Sequence, residues 1–375
     1  MTAHTDERVV LQGASPAGAN RPYVMIAGLR SMEAQGGIET HVRELALRLA
    51  RRDVDVEVVE RLPYAPEPGI LGGVRRSPLW SLRSSRLEAM SNTFAAVLWA
   101  IRRRPDVLHI HGIGPALMTP LAKLAGLRVV VTHHGRDYER EKWGTFAKLA
   151  LRLGEWFALR VAHEVIAVST SLSGELSRAG GRVVHGIPNG VKPSVPVGEP
   201  QPPLDFPYVL AVGRQVPEKR HLDLIRAFAA KDRGGLHLVI AGGADHQSAY
   251  SEELARVAAE HGNIHLLGPR PWDEIQTLYA SASLFVLPSS HEGLPIVLLE
   301  AMSAGCPVLV SDIAPHLEVD LPDECYFPLG DLPALSDRIG ALAAPEGQRV
   351  DWTQKLTRYD WDVIVEHTLS VYDVR

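Results

Sequence analysis

Two carboxylates, Glu292 and Glu300, are separated by seven residues in the C-terminal half of the chain. The short apolar run at 282–288 precedes them and predicts a buried parallel strand. Pro295 and Gly305 then mark the two ends of a predicted helix. Glu292 therefore falls in the turn between strand and helix, and Glu300 lies ~7–8 Å along the helix axis from Pro295.

This arrangement suits a ligand that carries both phosphates and hydroxyls. In an open parallel sheet, ligands bind at the carboxyl ends of the strands, and the free N–H groups of a helix start attract phosphate or hydroxyl oxygens. A sugar nucleotide offers sugar hydroxyls, a diphosphate and a ribose diol, so two acceptors flanking a helix N-terminus match it. The alternative is an ordinary turn glutamate and a solvated helix glutamate.

Two cations, Arg214 and Lys219, follow the predicted strand Tyr208–Val212 in the same half. A guanidinium can bind phosphate oxygens in a bidentate manner, and an ammonium acts as a point charge. An Arg and a Lys at this spacing are more often surface residues. Because Glu292 and Glu300 occur in the same half, we favour diphosphate binding.

The N-terminal half carries two further candidate loops. Gly36 and Gly37 lie between the strand 23–28 and a helix, where two glycines let backbone N–H groups approach a ligand closely. A plain turn explains the pair equally well. The predicted strand 127–132 ends in His133 and His134, whose side chains should point to opposite faces.

These residues resemble the retaining glycosyltransferases of family 4, which have the GT-B fold, and the resemblance extends more loosely over residues 22–374. It rests on the Glu-x7-Glu pair, on the pattern Gly-Arg-x3-Glu-Lys ending at Lys219, and on a Thr-x-His motif ending at His134. The resemblance implies catalytic roles for His134 and Glu292, and ribose binding by Glu300. It also implies a set of residues that bind the donor diphosphate: Arg214, Lys219, Gly36, Gly37, Gly293 and Leu294.

Three charged residues after His134 are weaker candidates. Arg136, Asp137 and Arg140 are plausible substrate-positioning groups, and local ion pairs account for them equally well. Metal binding is not expected. The sequence Asp53-Val-Asp55 matches an Asp-x-Asp motif only superficially, and His109 and His111 are better explained as packed histidines than as a two-histidine site.

A chain of 375 residues is long for one core and comfortable for two domains. Strands and helices alternate in both halves, which predicts an α/β protein with two doubly wound parallel sheets and right-handed crossovers. The predicted organisation is a disordered N-terminal extension (1–20), a first domain (21–192), a linker (193–207), a second domain (208–358) and a final helix (359–375). The resemblance implies that the first domain binds the acceptor, that the second binds the donor and that the final helix crosses back to the first domain, whereas an ordinary C-terminal cap helix is the alternative.

Composition excludes several classes. The chain is 46% hydrophobic and 22% charged, as in ordinary globular proteins. It has no apolar run of the ~18–20 residues that a membrane span needs, and its N-terminus does not resemble a secretory signal. The two cysteines form neither a disulfide framework nor a ligand cluster. We therefore expect a cytoplasmic location, either free in the cytosol or at the inner face of the membrane.

Charge is distributed unevenly. Residues 1–195 hold 26 Lys and Arg against 18 Asp and Glu, whereas the remainder holds 13 against 26. Solvated surfaces of opposite charge in the two halves explain this distribution. The alternative is that the N-terminal half binds an anionic partner. A long irregular loop is predicted at 61–86. This loop contains four arginines that suggest acceptor binding or contact with anionic lipid: Arg75, Arg76, Arg83 and Arg86.

Together with these residues, the resemblance implies a retaining, metal-independent enzyme that moves a hexosyl unit from a nucleotide-diphosphate sugar to an acceptor hydroxyl, in polysaccharide or glycoconjugate synthesis. The expected partners are the donor, a saccharide or lipid-linked acceptor and an anionic membrane surface, without nucleic acid. One alternative is a GT-B-fold nucleotide-sugar epimerase. Another is a catalytically silent sugar-nucleotide-binding protein. A dehydrogenase is the weakest option, because no G-x-G-x-x-G follows either first strand.

Overall fold

The computed structural model describes residues 21–34, 36–82, 87–139, 144–192, 204–244, 248–343 and 348–373. Within these ranges the chain forms two sheets, one of eight strands and one of six. The predicted N-terminal extension, most of the predicted linker, and Arg83, Arg86 and Arg140 lie outside them.

The first sheet has the order β3-β4-β2-β1-β5-β6-β7-β8. Every described pairing in it is parallel except that of β3 with β4. Its elements are β1 (Tyr23–Ala27), α1 (Gly37–Ala50), β2 (Asp55–Arg61), β3 (Gly69–Leu71), β4 (Val74–Leu79), α2 (Glu88–Arg103), β5 (Val107–His111), α3 (Thr119–Leu124), β6 (Val129–His133), α4 (Thr145–Val161), β7 (Glu164–Ala167), α5 (Thr170–Gly180) and β8 (His185–Gly186).

The second sheet has the order β11-β10-β9-β12-β13-β14, and its described pairings are all parallel. Its elements are β9 (Tyr208–Val212), α6 (His221–Ala229), β10 (His237–Ala241), α7 (Ala249–Ala259), β11 (Ile264–Gly268), α8 (Trp272–Ser281), β12 (Leu284–Leu287), α9 (Ile296–Ser303), β13 (Val308–Ser311), α10 (Ala314–Leu317), β14 (Tyr326–Phe327), α11 (Leu332–Leu342), α12 (Thr353–Leu356) and α13 (Trp361–Tyr372).

The central strands are buried along their whole length, as the apolar runs predicted. Every residue of β5, β6, β9 and β12 is buried, because helices cover both faces of each sheet. On the first sheet, α1 and α13 pack on one face, and α2 to α5 pack on the other. In the second sheet the strand order reverses between β9 and β12, so the loops after these two strands flank the crevice where such sheets bind ligands.

The prediction of an irregular loop at 61–86 was wrong in its middle part. Residues 69–79 form the antiparallel pair β3 and β4, and β4 extends the parallel sheet alongside β2. Arg75 pairs with Asp55 at 2.7 Å, and Arg76 pairs with Glu60 at 2.9 Å. Cross-strand ion pairs therefore neutralise two of the arginines that suggested a lipid contact.

The last helix of the chain, α13, packs against α1 of the first sheet domain. Arg52 at the end of α1 binds Asp362 at 2.8 Å and Glu366 at 2.9 Å. The Tyr372 hydroxyl lies 2.7 Å from His109 Nδ1, beneath the sheet. The exact domain boundaries stay a prediction. None of the described helices is both long enough and apolar enough to span a bilayer.

Candidate functional site between the two sheets

The turn at 288–295 joins β12 to α9 and carries Glu292. Pro295 is the N-cap of α9 and not its first residue, so the helix begins one position later than predicted. The helix ends at Ser303, and Gly305 has φ +69°, a conformation that favours glycine. Apart from this shift of one residue, the local sequence positioned both carboxylates as expected.

Lys219 and Glu292 form an ion pair inside the second sheet domain. Lys219 Nζ lies 2.5 Å from Glu292 Oε1, and the two side chains are only 13% and 11% exposed. Burial acts to raise the pKa of Glu292, but the Lys219 ammonium, His316 and the hydrogen bonds that the carboxylate accepts together outweigh burial, and the pKa is lowered. The carboxylate is therefore charged at neutral pH.

The loops after β9 and β12 are fastened to each other beside this pair. Ser290 N donates to the Glu218 carbonyl at 2.8 Å, and an added Cβ on Gly213 would lie 3.5 Å from Lys219. Arg214 follows directly after β9 and is partly buried. Burial lowers the pKa of His221 to about 3 and that of His316 to about 4. Because both histidines are neutral, Lys219 is the charge that compensates Glu292.

The first sheet domain contributes a group of four histidines, of which His41, His109 and His111 are buried and His134 is partly buried. His111 Nδ1 lies 2.9 Å from His134 Nε2, and the His41 ring centroid lies 5.2 Å from that of His134. Burial lowers the pKa of His41 to about 4 and of His109 to about 3, and those of His111 and His134 also lie well below the usual value. All four are therefore neutral.

The hydrogen bonds of this group favour one tautomer of His134. His111 Nε2 is buried and has no hydrogen-bond partner among the described residues. An unpartnered N–H costs more than an unpartnered lone pair, so we infer that His111 carries its proton on Nδ1 and donates to His134 Nε2. His134 then carries its own proton on Nδ1, which makes that atom a donor.

The two halves of the site touch where His134 meets Gly293. A Cβ added to Gly293 would lie 2.1 Å from the His134 carbonyl oxygen, so only glycine permits this approach. Asn189 connects α1 to the turn at 288–295. Its Oδ1 lies 2.9 Å from His41 Nδ1, and its Nδ2 donates to the Leu294 carbonyl at 2.7 Å.

Glu300 lies at a second contact between the halves. Burial raises the pKa of Glu300 to about 7, and the Tyr279 hydroxyl is 3.4 Å from its Oε2. Lys192 binds Glu44 of α1 at 2.7 Å and stands 5.1 Å above the ring of Trp272. The charges of Lys192 and Glu44 both act on the Glu300 carboxyl.

The predicted glycines differ in their surroundings. Gly36 is the N-cap of α1, and a Cβ there would lie 2.2 Å from Glu39 Oε2. Glu39 is held by Arg30 at 2.9 Å. Gly37 has no neighbouring atom within 4 Å of an added Cβ, so the start of α1 leaves open space above its backbone.

Among the weaker candidates, Arg136 and Asp137 lie in the loop after β6, and Arg140 lies outside the described residues. Arg136 binds Glu175 at 2.8 Å and Glu139 at 3.8 Å. These are local ion pairs, the alternative to a substrate-positioning role. Asp137 begins a short 3-10 helix. His133 points away from His134 and binds Glu155 of α4 at 2.9 Å.

The candidate metal positions have other partners. His109 uses both ring nitrogens, one towards Tyr372 and the other towards Thr132 Oγ1 at 2.6 Å. Asp53 pairs with Arg21 at 3.0 Å and Asp55 with Arg75. In the described part of the chain, no group of three or more His, Cys, Asp or Glu side chains is arranged to hold a metal ion.

Several residues of the interface were not predicted, among them His41, Asn189 and Glu318, whose carboxylate accepts from the backbone at the start of α5. Asn189 belongs to Ile-Pro-Asn-Gly, which indicates only a tight turn. His41 lies inside α1, and Glu318 directly follows α10. Their partners are distant in the chain, so no local pattern could have identified them.

Two family models match the chain. The model described as glycosyltransferase family 4 matches residues 35–195, and that described as glycosyl transferases group 1 matches residues 198–354. Together they cover most of both sheet domains, and they confirm the resemblance found in the sequence.

Two curated relatives have similar length. The 2-deoxystreptamine N-acetyl-D-glucosaminyltransferase of Streptomyces fradiae is 29% identical over 356 residues, which cover 82% of this chain and 82% of the relative. The phosphatidyl-myo-inositol mannosyltransferase of Mycobacterium leprae is 28% identical over 368 residues, covering 92% and 94%.

Solved structures confirm the predicted fold class. Sucrose-phosphate synthase from Thermosynechococcus elongatus superposes with a TM-score of 0.77 at 22% identity, covering 94% of this chain and 98% of that one. The Anabaena protein HepE, in complex with UDP-glucose, has a TM-score of 0.72 at 18% identity, covering 93% and 99%. The two facing parallel sheets are therefore a GT-B fold.

Proposed function

Because the chain belongs to glycosyltransferase family 4, we propose that it is a retaining, metal-independent enzyme that transfers a hexosyl unit from a nucleotide-diphosphate sugar to an acceptor hydroxyl. The acceptor is a saccharide or a lipid-linked saccharide, and the product is a polysaccharide or glycoconjugate. Transferase activity itself follows from the family model and from relatives that are named glycosyltransferases.

The observation that carries the proposal is the buried Lys219–Glu292 pair beside the start of α9, with His134 facing it from the other sheet domain. A buried ion pair contributes little net stability, because the desolvation of both charges offsets their attraction. A ligand that carries its own negative charge and hydroxyls would use both groups. The diphosphate would interact with Lys219, and the sugar hydroxyls with Glu292.

The predicted donor-binding and catalytic residues each receive a role in this proposal. Arg214, Lys219 and the backbone at Gly293 and Leu294 stabilise the departing diphosphate, as a divalent ion does in other enzymes. Gly36 and Gly37 offer backbone N–H groups from the opposite side. Glu300 accepts hydrogen bonds from the ribose hydroxyls. His134 donates from Nδ1 to the donor sugar.

The proposed reaction has an oxocarbenium-like transition state. The bond from the anomeric carbon to the phosphate oxygen breaks, and the acceptor oxygen attacks on the same face. The proton of the acceptor hydroxyl passes to the leaving phosphate, so no protein nucleophile is needed. Similar proteins support a sugar-nucleotide donor, since HepE was solved with UDP-glucose, and the relatives of Streptomyces fradiae and Mycobacterium leprae are named as an N-acetyl-D-glucosaminyltransferase and a mannosyltransferase.

Product analysis in the presence of EDTA tests the proposal. Nucleotide sugars are incubated with and without saccharide and polyprenyl-linked acceptors, and the anomeric configuration of the product is read by NMR. We expect acceptor-dependent release of nucleoside diphosphate and retained configuration. Conversion of the donor to its epimer without acceptor would assign the epimerase function, and an inverted product would refute retention. Donor binding without any transfer would indicate the catalytically silent protein.

A further inference from the structure

The helix α4 exposes large apolar side chains on its outer face. Phe146 is 90% exposed, Leu149 65%, Leu153 45% and Trp156 53%. Their spacing of three, four and three residues places them on one stripe of a helix. The inner face of the same helix packs Leu151, Gly154, Ala158 and Leu159 against the protein. We refer to Phe146, Leu149, Leu153 and Trp156 as the α4 stripe.

Neighbouring helices of the same layer continue this property. Leu124, at the end of α3, is 87% exposed, and α3 contacts α4. Phe94 and Leu98 of α2 are also exposed, and α2 contacts α3. A soluble monomer rarely exposes so many large apolar side chains close together, and such surfaces mark contacts with proteins or membranes.

The charges beside the α4 stripe are positive. Arg152 and Arg160 are exposed, and Lys148, one helical turn before Arg152, is partly buried. The single acid of the helix, Glu155, is turned inward and binds His133 and Tyr138. The outer surface of α4 therefore combines apolar side chains with cations, of which Arg152 also stacks over the Tyr138 ring at 5.3 Å.

We propose that the α4 stripe docks this protein on an anionic membrane surface. A helix with Trp, Phe and Leu on one side and Lys or Arg beside them lies in the plane of a bilayer interface, where anionic headgroups attract its cations. A second copy of the chain is a poorer occupant, because a two-fold contact through this face would bring its arginines towards each other. The surface differs from the arginines of β4, which are paired within the fold.

The orientation of the contact fits a lipid-linked acceptor. The helix α4 follows β6 and the loop of His134, so the membrane surface is linked to the candidate site by one helix. Glu155 of α4 binds His133, the residue before His134. This step alone rests on the proposed function, whereas the docking itself does not.

Co-sedimentation with vesicles tests the docking. Wild-type protein is mixed with vesicles of phosphatidylcholine alone or of phosphatidylcholine with phosphatidylglycerol. We expect binding to the anionic vesicles only, weakened by salt, since surface cations are screened. The variant Phe146→Ser/Trp156→Ser should bind at least about tenfold more weakly, because each ring loses its buried area. Arg152→Gln/Arg160→Gln should lose about fivefold per cation.

The matched control is Ile70→Ser/Val183→Ser. These two side chains are 70% and 71% exposed and lie near the two edges of the same sheet, outside the α4 stripe. The control variant should bind vesicles as the wild type does. Equal loss in the control and in the α4 variants would overturn the proposal, as would binding that is independent of anionic lipid.

A site-specific probe separates membrane docking from self-association. Both native cysteines, Cys306 and Cys325, are buried, so a cysteine in Leu149→Cys can be labelled selectively with a polarity-sensitive dye. We expect a blue shift on adding anionic vesicles and none at Ile70→Cys. A blue shift without vesicles, accompanied by dimers in ultracentrifugation, would assign the α4 stripe to a contact with a second copy of the chain and refute membrane docking. Calorimetric donor binding without vesicles reports the proposed function independently, so its failure would be recognised separately.

Discussion

At the scale of single residues, the ion pair of Lys219 and Glu292 explains more than any other contact. Each charge is taken out of water and compensated by the other at 2.5 Å. A ligand that supplies a diphosphate and hydroxyls can interact with both charges in the positions that they already occupy. The pair therefore connects the local sequence of two turns to the proposed chemistry.

The first prediction concerns this pair. Lys219→Met and Glu292→Gln should each reduce turnover at least about 100-fold, since each removes one fixed group from the transition state. Glu292→Gln should stay folded, because the amide retains the shape and one acceptor. The control is Lys355→Met, which breaks the exposed pair of Lys355 and Asp320 on the same domain. Near-normal turnover in either site variant, with the control unchanged, would refute the assigned roles.

The second prediction concerns pH and Glu300. Burial raises the pKa of Glu300 to about 7, above its unfolded value, so the proton is held up to neutral pH. An ionised carboxylate accepts hydrogen bonds from ribose hydroxyls more strongly than a neutral one. Donor affinity should therefore rise roughly fivefold between pH 6 and pH 8, titrating near 7.

The variant Glu300→Gln provides the control for this pH profile. Its donor affinity should be lower at pH 8 and nearly independent of pH. Calorimetry at several pH values measures both proteins. An unchanged pH profile in Glu300→Gln would show that another group titrates.

At the scale of elements, the strand-to-helix turns hold the site together. The turn at 288–295 approaches the loop after β6 so closely that Gly293 has no space for a side chain. The N-terminus of α9 thereby faces His134, and the two parallel sheets present their carboxyl ends to each other. Short turns between buried strands and helices leave little freedom, so this geometry is set before any ligand arrives.

The third prediction is a test of that close approach. Gly293→Ala should destabilise the protein by about 1–3 kcal/mol and weaken donor binding, because its methyl group would collide with the His134 carbonyl. The matched control is Gly174→Ala in the middle of α5, where the nearest atom is the Arg178 guanidinium at 3.7 Å. That variant should be as stable as the wild type or more so. Urea unfolding measures both, and equal stabilities would contradict the structure.

The elements differ in how far the sequence revealed them. The central strands and the helix α9 carry unambiguous apolar runs and end signals, so Glu292, Glu300 and Lys219 could be placed on their turns. The pair β3 and β4 was missed because β3 has only three residues, largely exposed, and β4 carries two arginines and a proline, so neither strand has the pattern of a buried strand. The contacts of Asn189 and His41 join residues 148 positions apart, which no local pattern encodes.

At the scale of the whole molecule, a few polar contacts fasten the two sheet domains. Glu318 of the second domain accepts from Thr170 N at 2.5 Å and Ser171 N at 3.0 Å, at the start of α5 in the first domain. The Ser303 hydroxyl donates to the Lys192 carbonyl at 2.8 Å. A carboxylate from one domain thus caps a helix of the other, so opening of the cleft exposes that helix end.

The fourth prediction follows from this cap. Glu318→Ala should shift the donor-free protein towards an open arrangement, because it removes a cross-domain contact of about 1 kcal/mol. Small-angle X-ray scattering should show a larger radius of gyration than in the wild type, and addition of donor should restore it. Glu324→Ala, at an exposed acid of the same domain, is the control and should not differ from the wild type. An unchanged radius in Glu318→Ala would show that the cap does not hold the cleft.

The central claim is that the second sheet domain grips a nucleotide diphosphate with protein groups alone. Isothermal titration calorimetry in EDTA, with sugars conjugated to UDP, GDP, ADP and TDP, tests it most directly. We predict that at least one conjugate binds, and that Lys219→Met weakens it at least about tenfold. The claim is contradicted if none of the conjugates binds the pure protein, or if binding is unaffected by the loss of Lys219.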